Sequence, residues 1–182
     1  MTLNVEDLAR KAAGIRLVLF DVDGVLTDGR ILLHSDGSES KAFSIRDGTG
    51  IVWAQRAGLS TGLLSARHSA ATTARAAQLG IRLVRQQAGD KLEMYRELLT
   101  EEGLSDGEVA FMGDDVLDLP VLSRVGLATA PADAAPDVLA RVDWVSSRAG
   151  GDGAARELIE LLLRAQDKWE PLLDGYARGE SR

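Results

Sequence analysis

Three short apolar runs in this chain each stop at a polar residue, and that repetition restricts the fold more than any other feature. IRLVLF runs into Asp21, LSTGLL into Ser65, and EVAFMG into Asp114. Runs of this length, rich in branched and aromatic residues, are the pattern of strands buried on both faces. Helical patterns lie between them, and strands alternating with helices predict a Rossmann-like, doubly wound α/β fold around a parallel sheet. In such folds ligands bind outside the carboxyl ends of the strands. Asp21, Ser65 and Asp114 are therefore expected on one rim.

The remaining elements follow the same logic. MTLNVEDLARKAAG reads as a polar amphipathic helix, and RILLHSDGSESKAFSIR as a hairpin turning at Asp36-Gly37. DGTGIVWAQRAG is helical up to Gly58, HSAATTARAAQLG up to Gly80, and IRLVR is a short strand. DKLEMYRELLTEEG places Leu92, Tyr95, Leu98 and Leu99 on one helical face. VLDLPVLSRVG is a short helix before the strand LATA, and DAAPDVLARVDWVSS a helix and a strand. GGDGAARELIELLLRAQDKW closes the pattern as a helix, with a polar tail after it. The expectation is one domain over 1–182, with a hairpin flap at 29–45 and a C-terminal helix and tail at 148–182. His34 and His68 lack metal-ligand spacing and are expected at the surface; Trp53, Trp144 and Trp169 are expected to pack.

Charge narrows the partners. Lys and Arg number 21 against 28 Asp and Glu, a net charge of -7, which disfavours nucleic acid and anionic membrane. The absence of cysteine excludes disulfides and thiolate metal sites. No apolar run approaches the roughly 20 residues that span a bilayer, and the start lacks a signal-peptide core. A cytoplasmic protein is expected.

The rim collects an unusual set of groups. Asp21, Asp23, Asp114, Asp115 and Asp118 bring negative charge, Ser65 a hydroxyl, and Lys91 an ammonium. Carboxylates stay ionised side by side when a cation joins them. An all-oxygen donor set without Cys or clustered His favours a hard ion, Mg²⁺ first. Phosphate oxygens fill the open positions of such an ion, and a hydroxyl and a lysine can hold the others. The set suits phosphoryl transfer.

DVDGVLTD, LLSAR, Lys91 and GDDVLD stand in the order of the four motifs of the haloacid dehalogenase-like phosphatases, which the chain resembles. That resemblance implies Asp21 as nucleophile and Asp23 as general acid and base. It implies Ser65 and Lys91 on the phosphoryl oxygens, and Mg²⁺ on Asp21, Asp114 and the backbone carbonyl of Asp23. Asp115 would act nearby, through water or by holding Lys91. No cap domain fits between Asp28 and Leu59 or between Ser65 and Lys91, so the site of a lone subunit would stand open.

From about Ala9 to about Lys168 the chain is also similar to the capless 3-deoxy-D-manno-octulosonate 8-phosphate phosphatase family. The stretches that carry this are DVDGVLTDG, KAFSIRDGTGI, LLSARHS, GDDVLDLPVLSRVGLA and RAGGDGAARELIELLL. The family implies a homotetramer whose hairpins complete neighbouring sites, with the glycine-rich C-terminal segment folded over a neighbour's site. It implies Arg46, Asp47 and Gly48 shaping the pocket, and Arg67 facing the carboxylate or phosphate of a sugar acid phosphate. The family usually reads Thr-Gly-Arg where this chain has Ser65-Ala66-Arg67, and Asp152 adds a charge within AGGDG. Arg67 favours the eight-carbon sugar acid, in lipopolysaccharide precursor synthesis, over a nine-carbon one. Two other readings compete: a signalling receiver domain, which has no Asp-x-Asp after its first strand, and a catalytically silent oligomerisation module, which has no use for Asp23.

Overall fold

In the computed structural model the strand of the first apolar run, β1 (Leu17–Phe20), is central and wholly buried. Val18 and Phe20 join one apolar cluster while Leu17 and Leu19 join another, so the run is apolar without alternation because both faces are covered. The structure describes residues 4–86 and 89–180. Residues 1–3, Gln87, Ala88, Ser181 and Arg182, which the expected 1–182 span includes, lie outside them.

Beside β1 stand β4 (Ser60–Ser65) and β6 (Val109–Met112), and beyond them β5 (Leu83–Gln86), β7 (Leu127–Ala130) and β8 (Trp144–Val145). The order is β5-β4-β1-β6-β7-β8, with every pairing parallel. The chain proceeds from β1 to β4 and β5 on one side, then returns to place β6 on the other. The crevice at that reversal, between the ends of β1 and β6, is where such sheets bind ligands.

Both faces carry helices. Leu158, Ile159 and Leu162 of α7 (Ala154–Ala165) and Ile51 and Ala54 of α2 (Ile45–Arg56) cover one face, together with Ala12 of α1 (Val5–Ala13). On that side α3 (Ala70–Gln78) adds Ala76. Met94, Tyr95 and Leu98 of α4 (Lys91–Glu102), Val121 of α5 (Leu119–Leu122) and Val138 of α6 (Pro136–Leu139) cover the other. No helix among the described residues is long and apolar enough to cross a membrane.

The hairpin is smaller than the sequence pattern suggests. Its strands β2 (Leu32–Leu33) and β3 (Glu39–Ser40) pair over two residues each. The Gly37 N–H reaches back to the His34 carbonyl, with Gly37 at φ 84°, the positive-φ residue a tight hairpin loop needs. Its Leu32 and Leu33 are 63% and 71% exposed. His34 and His68 are exposed, as expected.

The tail departs from expectation. Trp169–Ala177 forms a further helix, α8. Trp169 is buried against Trp53 with ring centres 5.5 Å apart, and the Tyr176 hydroxyl accepts from Trp53 Nε1 at 2.6 Å and Arg56 Nη1 at 2.9 Å. Arg156 stacks over the Trp53 ring at 3.7 Å. The tail is thus a helix bolted to α2 and α7 by aromatic packing.

Candidate active site

The last residue of β1 delivers its successor, Asp21, to the crevice, where the Asp21 N–H is bound by the Met112 carbonyl at 2.9 Å. Across the crevice, Gly113 and Asp114 follow β6. A 3-10 turn over Val116–Asp118 then brings Asp118 back: its Oδ2 accepts from the N–H groups of Asp114 at 2.9 Å and Asp115 at 3.2 Å. Lys91 is the first residue of α4, whose N-terminus Asp90 caps through the Leu92 N–H at 2.9 Å. Its ammonium lies 3.0 Å from Asp21 Oδ1 and 2.5 Å from Asp118 Oδ1. Ser65, at the end of β4, is held in a turn in which its Oγ exchanges hydrogen bonds with the Arg67 backbone at 3.3 Å.

Asp21, Asp23, Ser65, Lys91 and Asp114 line one cavity of about 190 Å³, with Arg67, Asp115 and Asp118. Carboxylate oxygens of Asp21, Asp114 and Asp118 lie within 4.8 Å of one another. Asp118 is fully engaged by Lys91 and two backbone N–H groups, whereas Asp114 Oδ1 is buried without a hydrogen-bond partner. An orphaned carboxylate oxygen beside a second carboxylate is an incomplete site, and a hard divalent cation with all-oxygen ligands completes it. The residues present fit Mg²⁺.

Electrostatics agrees. Burial, followed by the charges of Asp21, Asp118 and Asp115, pushes the Asp114 carboxyl up to about 8. Burial also raises Asp21, with Lys91 opposing and Asp118 adding, so that it settles at about 6. Burial pulls the Lys91 ammonium down, but Asp21 and Asp118 outweigh it, and its pKa ends above the usual lysine value. Protein charge alone leaves this cluster short of positive charge.

The other expected residues have contacts of their own. Lys91 is held by Asp118; Asp115 is exposed and caps the Val116 N–H at 2.7 Å. Arg46, Asp47 and Gly48 do not line this cavity. The Asp47 carboxylate is spent on the start of α7, accepting from the Gly153 N–H at 3.2 Å and the Arg156 N–H at 2.9 Å. Gly48 is buried where α2 meets α3, and a Cβ there would run into the Arg75 guanidinium. Arg46 lines a separate cavity of about 410 Å³ with Arg148, Asp152, Arg156, Glu157 and Glu160, none of which belongs to the Asp21, Asp114 and Asp118 group. Arg67 forms an ion pair with Glu39 of the hairpin. The glycine-rich segment packs within its own chain: the Gly151 N–H binds the Val25 carbonyl at 2.9 Å, and a Cβ on Gly150 would overlap the Gly24 carbonyl.

One residue of the site escaped the sequence pattern. Lys41, just past β3, buries its whole side chain and sets its ammonium 2.6 Å from Asp23 Oδ1 and 2.8 Å from Oδ2. A lone lysine in KAFS carries no motif. The available signal was its place where the hairpin rejoins the domain.

A family model for haloacid dehalogenase-like hydrolases matches residues 55–158. The 3-deoxy-D-manno-octulosonate 8-phosphate phosphatase of Escherichia coli (strain K12) is 41% identical over 175 residues, 96% of this chain and 90% of that protein. The chain belongs to this family of haloacid dehalogenase-like hydrolases. Among solved structures, the phosphatase of that name from Yersinia pestis superposes with a TM-score of 0.88 at 42% identity, over 91% of the hydrolase and 89% of that chain. The Moraxella catarrhalis enzyme, solved with magnesium ion, phosphate ion and KDO, superposes with a TM-score of 0.92 at 32% identity, over 95% and 99%.

Proposed function

We propose that this hydrolase is a Mg²⁺-dependent phosphatase that cleaves 3-deoxy-D-manno-octulosonate 8-phosphate to the free sugar acid and phosphate. The observation that carries the chemistry is the orphaned Asp114 oxygen beside Asp21 at the sheet's switch point. The kinship to enzymes of that name supports the substrate.

In this reading Asp21 attacks phosphorus as the bond to the sugar oxygen breaks, and the Asp23 carboxyl gives its proton to that oxygen. Asp23 then takes a proton from water, whose oxygen attacks the phosphorus on Asp21 and frees the carboxylate and inorganic phosphate. Lys91, fixed by Asp118, and Ser65 hold the phosphoryl oxygens. Asp21, Asp114 and the Asp23 carbonyl would hold Mg²⁺, which would neutralise the carboxylates and the charge on the phosphoryl group. Arg67 would meet the substrate carboxylate, exchanging its Glu39 partner for it. The exposed Leu32 and Leu33 support a homotetramer in which a neighbour's hairpin closes each site. Placement in the cytoplasm and in lipopolysaccharide precursor synthesis belongs to the same reading.

The test is phosphate release from the eight-carbon and a nine-carbon sugar acid phosphate, with and without Mg²⁺. Mg²⁺-dependent preference for the eight-carbon ester is expected; preference for the other keeps the chemistry and moves the substrate. No release from either overturns the reading.

A further inference from the structure

The buried lysine of the hairpin leg has no part in the reaction as written, and its setting is unusual. Its side chain is 0% exposed, and its ammonium straddles the carboxylate of Asp23, with the Thr72 hydroxyl 3.5 Å away. Taking an ammonium out of water is expensive, and a buried ion pair seldom stabilises a fold more than apolar packing of equal volume would. Fold stability is therefore a weak reason for a lysine here. Asp23, by contrast, stands on the loop after β1, where side-chain torsions alone do not fix its carboxylate. Lys41 donates to Oδ2 at 2.8 Å and forms an ion pair with Oδ1 at 2.6 Å, so one ammonium holds both oxygens of the carboxylate, with Oδ1 left without a directed hydrogen bond.

We infer that Lys41 is a positioning residue, gripping both oxygens of the Asp23 carboxyl and fixing its orientation toward the leaving-group oxygen and, later, the attacking water. It thereby ties the hairpin leg to the acid and base of the reaction. This rests on the phosphatase reading above. Misplacing a reacting group by about 1 Å can cost about 100-fold in rate. The loss should be specific to steps that need the proton.

The decisive measurement is the first-turnover rate of Mg²⁺-loaded Lys41→Met on two esters. The sugar acid phosphate has an alkoxide leaving group that needs the Asp23 proton; p-nitrophenyl phosphate has one that does not. The expected result is a fall of about 100-fold on the alkyl ester, with KM within about threefold. On the aryl ester the first turnover should stay within about threefold, followed by a stall that appears as a burst of nitrophenol. Equal losses on both esters, or no loss on either, overturn the proposal. The chain has no cysteine, so Lys41→Cys can be alkylated at one place, in urea, and refolded. Aminoethylation, which restores an ammonium, should recover the alkyl-ester rate to within about tenfold, and carbamidomethylation should not. Equal rates for the two adducts overturn the ammonium as the operative group, and this comparison serves even if the methionine variant fails to fold. A wild-type chain inactive on both esters removes the phosphatase reading and the proposal together, whereas an active wild type with an unaffected variant removes only the proposal.

Discussion

Asp114 is the residue on which the charge balance turns. Without a cation it holds a proton to about pH 8, and Asp21 to about 6, both far above the ordinary aspartate value of 3.8. At these two groups the folded state then binds more protons than the unfolded chain, so their contribution to stability is fully present below about pH 4 and is lost as pH rises through 6 and 8. The melting temperature of the metal-free protein should fall from pH 5 to pH 8, and Mg²⁺ should raise it more at pH 8 than at pH 6. Asp114→Asn should flatten that pH dependence and abolish the Mg²⁺ response in the same melting experiment. Asp21→Asn should cut phosphate release at least about 1,000-fold while leaving the fold intact by circular dichroism. Asp21, Asp114 and Lys91 were legible because each stands at the end of a strand or the start of a helix, in a spaced motif. Whether Asp115 or Asp118 holds Lys91 is not legible in spacing, because a 3-10 turn over Val116–Asp118 turns Asp118 back toward the ammonium. The hydrogen bonds of Asp47 were not legible because its partners start a helix more than 100 residues away.

Among elements, the glycine-rich segment before α7 has the clearest mechanical role. Gly150 sits against the Gly24 carbonyl, and a Cβ on Gly24 would in turn overlap Asp114 Oδ2. Gly150→Ala must therefore push the Asp23-Gly24 loop toward the acid cluster, and overpacking of this kind costs about 1–3 kcal/mol. A lower melting temperature is expected together with a Mg²⁺ affinity weakened in titration; unchanged affinity would show that the loop absorbs the shift. The helix α8 offers a control far from the chemistry. Trp169→Ala removes a buried ring and should cost about 3–5 kcal/mol in urea unfolding. Its effect on KM should be small. This helix was hidden in the sequence because Pro171 and Gly175 interrupt its helical pattern. Pro171 is tolerated because it falls in the first turn, where its missing N–H has no intrahelical partner.

For the whole molecule, the doubly wound sheet was readable from the continuous apolar runs, since only strands covered on both faces dispense with alternation. How subunits meet is less legible, because an exposed leucine pair carries no address. If hairpins close neighbouring sites, the chain should sediment at about four times its 19.4 kDa mass. Leu33→Asp should then shift it toward smaller species and lower turnover in parallel. A last consequence follows from the strand order. The strand bearing Asp21 pairs with β6, some 92 positions later in the chain, and the loop beside it is braced by Gly150. On the ribosome the first 20 residues therefore emerge long before their partners. The strand waits with one edge unsatisfied for most of synthesis, and its acidic end gains its metal partner only when residue 114 has left the exit tunnel. Fragments that stop short of that point should bind no Mg²⁺ and should be the species that chaperones hold.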